Sequence, residues 1–167
     1  MVLTKEELVS ALLGEVRILN HLLSKTGDDQ LAYRPSEKQR STVELLQYLS
    51  VMPGIHLRAI VEGKFDIEPW KTAWTNGLAN ARTMDFDGLK SAIAAQEAEV
   101  AELLAPLTDT DLQAEIDLFG KASRAVAIIR LVLNHYVAYR MQFFLYLKAS
   151  GREELGTLNL WRGSDTF

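Results

Sequence analysis

The sequence predicts an all-α protein built as a four-helix bundle, and three observations carry that prediction. Four long stretches place apolar residues at helical spacing, their ends carry capping and breaking signals, and no stretch shows a strand signal. The 167 residues show no internal repeat, low-complexity segment or second composition, so residues 1–167 are read as a single domain.

Thr4-Lys5-Glu6-Glu7 is a capping box, because the Thr hydroxyl can satisfy an early backbone N–H while Glu7 reaches back. Leu8, Leu12, Val16, Leu19 and Leu23 then form one apolar stripe that Gly27-Asp28-Asp29 stops, which defines the first helix. Arg34-Pro35 forbids helical continuation, so residues 27–40 are expected to form a loop. Ser41-Thr42-Val43-Glu44 is a second capping box, and Leu45, Tyr48, Leu49, Met52, Ile55 and Ile60 keep helical period to Gly63, with a kink expected at Pro53.

From Gly63 to Phe86 periodicity is weak, and a long crossover carrying a short helix is expected there between helices two and three. Trp70 and Trp74 within it are expected to pack on each other as a hydrophobic pair. Asp85 opens the third helix, whose stripe of Leu89, Ile93, Val100 and Leu104 ends before Pro106. A short helix capped near Thr108 is expected to run to Leu118, followed by a fourth long helix from about Ala122 to Ser150, closed by Gly151.

The count of 18 Lys+Arg against 22 Asp+Glu gives a net charge of −4, which offers no general attraction to a phosphate backbone, so no nucleic-acid partner is expected. With no Cys, the chain has no disulfide, no thiolate zinc site and no Cys nucleophile, and it fits a reducing, cytoplasmic setting. The uncharged run from Leu45 to Leu57 contains Pro53 and falls short of the roughly 20 residues a membrane span needs. The segment Met1 to Glu7 lacks the basic-then-apolar order of a secretory signal, so neither membrane insertion nor export is expected.

The fourth helix carries the most informative pattern. With His135 at the origin of a wheel turning about 100° per residue, Tyr139, Gln142 and Tyr146 all fall within about 40° of it. Leu131 and Ile128 continue this stripe, so it is expected to face the core, where its polar groups need partners. Tyr48 on the second helix, with Glu44 one turn before it, can meet the same cluster. His56 lies about 80° from Tyr48 on an unbroken wheel, so His56, like His21, is expected to be exposed or peripheral. Arg140 points away from the cluster and is expected to form a salt bridge or an interface. Val126, Leu133, Val137 and Phe144 make the opposite side apolar too, to be covered by the tail (Leu155, Leu158, Leu160, Trp161) or by a second subunit, and a homodimer is expected.

The segment His135-x-x-x-Tyr139-Arg140-x-Gln142, followed by Leu145-Tyr146-Leu147-Lys148 and Gly151, resembles the last helix of DinB/YfiT-like proteins. That family's pattern there is His-x-x-x-His-Arg-x-Gln before an apolar run and Gly. Leu31-x-Tyr33-Arg34-Pro35 and Ser41-Thr42-Val43-Glu44-Leu45-Leu46 resemble its loop and the opening of its second helix. The resemblance implies a bundle, often dimeric, that holds a divalent metal such as Zn²⁺ or Ni²⁺ through one His on helix two and two on helix four. His135 matches one of these ligands, but Tyr139 and Tyr48 stand at the other two positions. A neutral phenol with a pKa near 10 is a poor ligand at pH 7, so no metal or other cofactor is expected. Glu44 is the remaining spare ligand.

The expected function is therefore that of a metal-free bundle whose cleft, lined by His135, Tyr139, Tyr48, Gln142, Glu44 and Tyr146, binds a small molecule or serves regulation. On this reading His135 is expected to bond directly to a tyrosine or to Glu44. The alternative is a divalent-metal-dependent thiol S-transferase using the same cleft, which the resemblance implies, and a third reading is a purely structural dimer.

Overall fold

The computed structural model describes residues 3–167; Met1 and Val2, where the reading of the N-terminus for a leader begins, lie outside the described residues. Helix α1 (Lys5–Ser24) starts at the expected capping box: Glu7 N–H donates to Thr4 Oγ1 at 3.2 Å and Thr4 N–H donates to Glu7 Oε2 at 2.8 Å. Its buried stripe of Leu8, Leu12, Val16, Leu19 and Leu23 is the one read from the sequence. A single turn, α2 (Asp28–Leu31), stands inside the stretch expected to be loop.

The second bundle helix is two helices, α3 (Thr42–Leu49) and α4 (Met52–Glu62), where one kinked helix was expected. Pro53 supplies the reason. In an unbroken helix the N–H of residue 53 would donate to the carbonyl of Leu49, and proline has no N–H. Gln96 takes over that carbonyl, with Nε2 donating to it at 2.9 Å, while Gln96 Oε1 accepts from the Tyr136 hydroxyl at 2.8 Å. Three elements are thereby joined at a buried point, and the chain is free to re-aim α4 relative to α3.

Helix α5 (Ile67–Ala81) corrects the expectation of a long connection with a short helix. Its N-cap Asp66 accepts from Glu68 N–H, and it lies against the outside of the bundle with Ala81 as its one buried residue, which is why no clear apolar stripe marks it. It crosses the α3–α4 break at Gly77, where a Cβ would come within 2.5 Å of Val51 Cγ1. Helix α6 (Phe86–Leu104) starts at Asp85 and stops before Pro106, as expected.

After α7 (Asp109–Gln113) the chain forms a hairpin of β1 (Glu115–Asp117) and β2 (Lys121–Ser123), paired antiparallel with Ile116 opposite Ala122. A helix to Leu118 and a fourth helix from Ala122 were expected here. The left-handed conformations of Phe119 (φ 56°) and Gly120 (φ 111°) reverse the chain and leave no room for either. The fourth bundle helix then runs as α8 (Arg124–Ile128), a π-helical turn at Ile129–Leu133, and α9 (Asn134–Ala149). Helix α10 (Thr157–Arg162) packs back on α1 and α9.

The core is a leucine-rich interior in which Leu12, Leu19, Leu45, Leu49, Leu89 and Phe143 are completely buried. Arg140 makes the salt bridge expected of it: the guanidinium meets the Glu15 carboxylate at 2.6 Å and also donates to the carbonyl of Leu160, tying α9, α1 and α10 together. Among the described residues no helix is long and apolar enough to cross a membrane.

Replacing Gln96 with Leu removes the partner of the Leu49 carbonyl and of the Tyr136 hydroxyl together, and buried groups left unpaired cost about 1–3 kcal/mol each. Urea denaturation of Gln96→Leu is expected to show a stability loss of at least about 1 kcal/mol with little change in slope.

Candidate functional site

Helix α9 turns a different face inward from the one expected. Tyr136, Phe143 and Leu147 are its fully buried residues, about 100° around the helix from His135. The π-helical turn just before His135 inserts an extra residue into the helical count, so the wheel drawn through Leu131 and Ile128 loses phase there. His135 and Tyr139 consequently flank the core, with His135 facing Tyr48 of α3 and His56 of α4 and Tyr139 facing Tyr48.

The structure brings three of the expected residues together. The His135 ring stacks on Tyr48 at 5.2 Å between centroids, and Tyr139 lies 4.6 Å from His135 and 5.2 Å from Tyr48. Gln142 and Tyr146 belong to a neighbouring pair, with Gln142 Nε2 donating to the Tyr146 hydroxyl at 2.5 Å and Tyr146 packed edge-on against Tyr33 at 5.5 Å. Glu44 is spent on structure: it accepts from Ser41 N–H at 2.8 Å in the capping box and pairs with Arg34 at 2.9 Å, so it is no ligand for His135. The direct bond expected between His135 and a tyrosine or Glu44 is absent, for His135 Nε2 is buried without a hydrogen-bond partner among the described residues.

His56 corrects the expectation most sharply. It is 9% exposed, its ring lies 5.9 Å from that of His135, and its Nδ1 is likewise buried and unpartnered among the described residues. The break at Ser50–Val51 resets the phase of α4, so a wheel carried unbroken from Tyr48 misplaces His56. Pro53 was the sequence signal that could have found it. His21, by contrast, is peripheral as expected, held at 3.0 Å by Asn159 of the tail.

Trp70 and Trp74 form the expected pair, with centroids 5.3 Å apart, and they also belong to the site. Trp70 lies 5.8 Å from His56, and both indole Nε1 atoms are buried without acceptors among the described residues. Helical spacing of four residues on α5 puts both indoles on the side that meets the bundle. The guanidinium of Arg40 covers the outer face of Tyr48, 4.1 Å from its centroid.

Electrostatics keep this cluster neutral. Burial first, then the neighbouring His56, then Arg40, bring the His135 imidazole down to about 4. Burial alone lowers His56. Burial and the adjacent Tyr139 push the Tyr48 phenol up to about 12, against a smaller opposing pull from Arg40. At pH 7 the site therefore offers two neutral imidazoles, an un-ionised Tyr48 phenol and two indole N–H donors.

The residues do not fit the three-imidazole metal site that the family resemblance implies. Among the described residues no three His, Cys, Asp or Glu side chains converge, and a phenol pushed upward is the reverse of the phenolate a metal would bind. What the arrangement can do chemically is stack a flat molecule and donate hydrogen bonds to its acceptor atoms.

No family model matches the chain. It is 25% identical over 152 residues to the uncharacterized protein YjoA of Bacillus subtilis strain 168, covering 89% of this chain and 92% of that one. It superposes on the crystal structure of YjoA, described as a DinB-like protein, with a TM-score of 0.65 at 22% identity, over 86% of this chain and 92% of the other. The fold is thus DinB-like, as the sequence resemblance implied.

The two histidines of the cluster, both with lowered pKa values, tie stability to pH. Above about 6.5 both are neutral folded or unfolded, and the full stability is present; as pH falls from there toward about 4 the unfolded chain takes protons that folded His135 refuses, so stability falls. Denaturation midpoints measured between those pH values are expected to fall less steeply for His135→Gln than for the natural chain.

Proposed function

We propose that the protein is a cytoplasmic small-molecule-binding or regulatory bundle. Its cleft takes an organic ligand at the ring cluster shared by α3, α4, α5 and α9, where the relatives implied by the sequence resemblance hold a metal. The observation that carries this reading is the set of four buried ring nitrogens without partners among the described residues: His56 Nδ1, Trp70 Nε1, Trp74 Nε1 and His135 Nε2. Buried polar atoms are almost always paired, and leaving one unpaired costs about 1–3 kcal/mol, so four gathered in one cluster support an absent partner common to them. Indole N–H groups only donate, so that partner carries acceptor atoms.

The ring contacts support the same reading, since Tyr48, His135, Tyr139, Trp70 and Trp74 give flat faces for stacking around these nitrogens. The positions of Tyr48 and Tyr139 make it a degenerate form of the metal site that the resemblance implies. A homodimer completes the proposal: Val137 and Met141, each 38% exposed, and Leu145, 54% exposed, stand one turn apart along α9 as a row for a second copy.

A thermal-shift screen of neutral and charged aromatic compounds against the natural chain and His135→Ala tests the cleft. Compounds that raise the melting temperature of the natural chain are expected to lose most of that effect in the variant. Hits that stabilise both proteins equally bind elsewhere and would overturn the reading. Light scattering on the same preparation reads the mass, for which twice the chain mass is expected and the mass of a single chain would remove the dimer.

A further inference from the structure

Beside the ring cluster, between α3 and α5, lies a cavity of about 560 Å³, within the range of about 300–1,000 Å³ usual for small-molecule sites. Tyr48 and Trp74, which belong to the ring cluster, form part of its wall, so cavity and cluster adjoin. Arg40 and Arg82 stand on the same wall. Neither has an acidic partner among the described residues, a state they share with Arg124, Arg130 and Arg162, and Arg40 and Arg82 are the two of these that line this cavity. The one acid on the wall, Glu44, has its charge engaged by Arg34 and by the backbone N–H of Ser41. Two arginines against one engaged carboxylate leave the wall of this cavity, which also holds Tyr48 and Trp74, net positive in a chain whose net charge is −4.

We propose that this cavity selects a flat organic anion, such as an aromatic carboxylate, with its ring against Tyr48 and Trp74 and its carboxylate held by Arg40 and Arg82. The proposal rests on the reading of the cleft as an organic-ligand site and narrows it to one ligand class. Three features agree on that class. Two guanidinium groups match a carboxylate as fork-shaped donors. The Trp74 N–H is buried, unpartnered among the described residues and can only donate, which suits an acceptor and repels a cation. The Arg40 guanidinium lies 4.1 Å from the Tyr48 ring centroid, and as an exposed side chain it is free to turn from that ring to a carboxylate seated in the cavity.

The test is a titration of the full chain with 2-naphthoate and with its uncharged counterpart 2-naphthamide. It is followed by calorimetry and by tryptophan fluorescence in a Trp161→Phe background, which leaves Trp70 and Trp74 as reporters. Naphthoate is expected to bind more tightly than naphthamide, and Arg40→Gln and Arg82→Gln are each expected to weaken naphthoate by about tenfold while leaving naphthamide within about twofold, the worth of one charge-assisted hydrogen bond. Both substitutions are on exposed side chains, and unchanged melting temperatures would show that the variants fold. Equal binding of the two probes with no effect of either substitution would overturn the anion class and leave the cleft standing as an organic-ligand site. Loss of both probes alike in the arginine variants would assign the arginines a structural role and overturn the proposal, as would failure of naphthoate to bind at all. The reading of the cleft itself falls only with the His135→Ala comparison in the wider screen.

Discussion

The carbonyl of Leu49 is the point on which this bundle turns. Pro53 denies it the helical hydrogen bond it would otherwise receive, and Gln96 of α6 supplies one in its place while accepting from Tyr136 of α9. A buried amide that both donates and accepts is well suited to joining three helices, because every member of the chain is satisfied. The interruption is thus stabilised from outside the helix that suffers it. Its consequence is directional: α4 leaves the break on a new phase and turns His56 toward His135.

The crossover helix depends on the same break. Gly77 lets α5 lie directly over Val51, and from that seat Trp70 reaches His56 while Trp74 shares a cavity wall with Tyr48. A second adjustment, the π-helical turn before His135, sets the opposing face of α9. Backbone irregularities on two bundle helices therefore aim the imidazoles, and a glycine contact seats the helix that closes over them. Neutral rings held by burial lie beside a cavity wall on which Arg40 and Arg82 outnumber the single acid, Glu44, itself paired with Arg34.

Much of this was legible in the sequence. The capping boxes at Thr4 and Ser41, the Asp85 cap, the stops at Gly63 and Pro106, and the meeting of Tyr48 with His135 and Tyr139 all follow from local rules that the structure obeys, though the rings meet by stacking and edge contact and not by the hydrogen bond expected of His135. What escaped was anything that needs a helical count to be interrupted. His56 was misplaced because a wheel assumes an unbroken helix, and the inward face of α9 because one extra residue per turn is invisible to a fixed period. Helix α5 escaped for a different reason: lying on the outside of the bundle, it has no buried stripe to show, and its two indoles are the only sign of which side it turns inward. The hairpin at Glu115–Ser123 escaped because three-residue strands are too short for alternation to register.

The central claim is that the rings gathered around His135 serve an organic ligand in the place where the family resemblance implies a metal. Elemental analysis of untagged protein, by mass spectrometry after equilibration with Zn²⁺ and Ni²⁺ and removal of the excess, tests it most directly when the natural chain is compared with His135→Ala. The account predicts far less than one metal ion per chain and no difference between the two proteins. One equivalent bound by the natural chain and lost in the variant would contradict it.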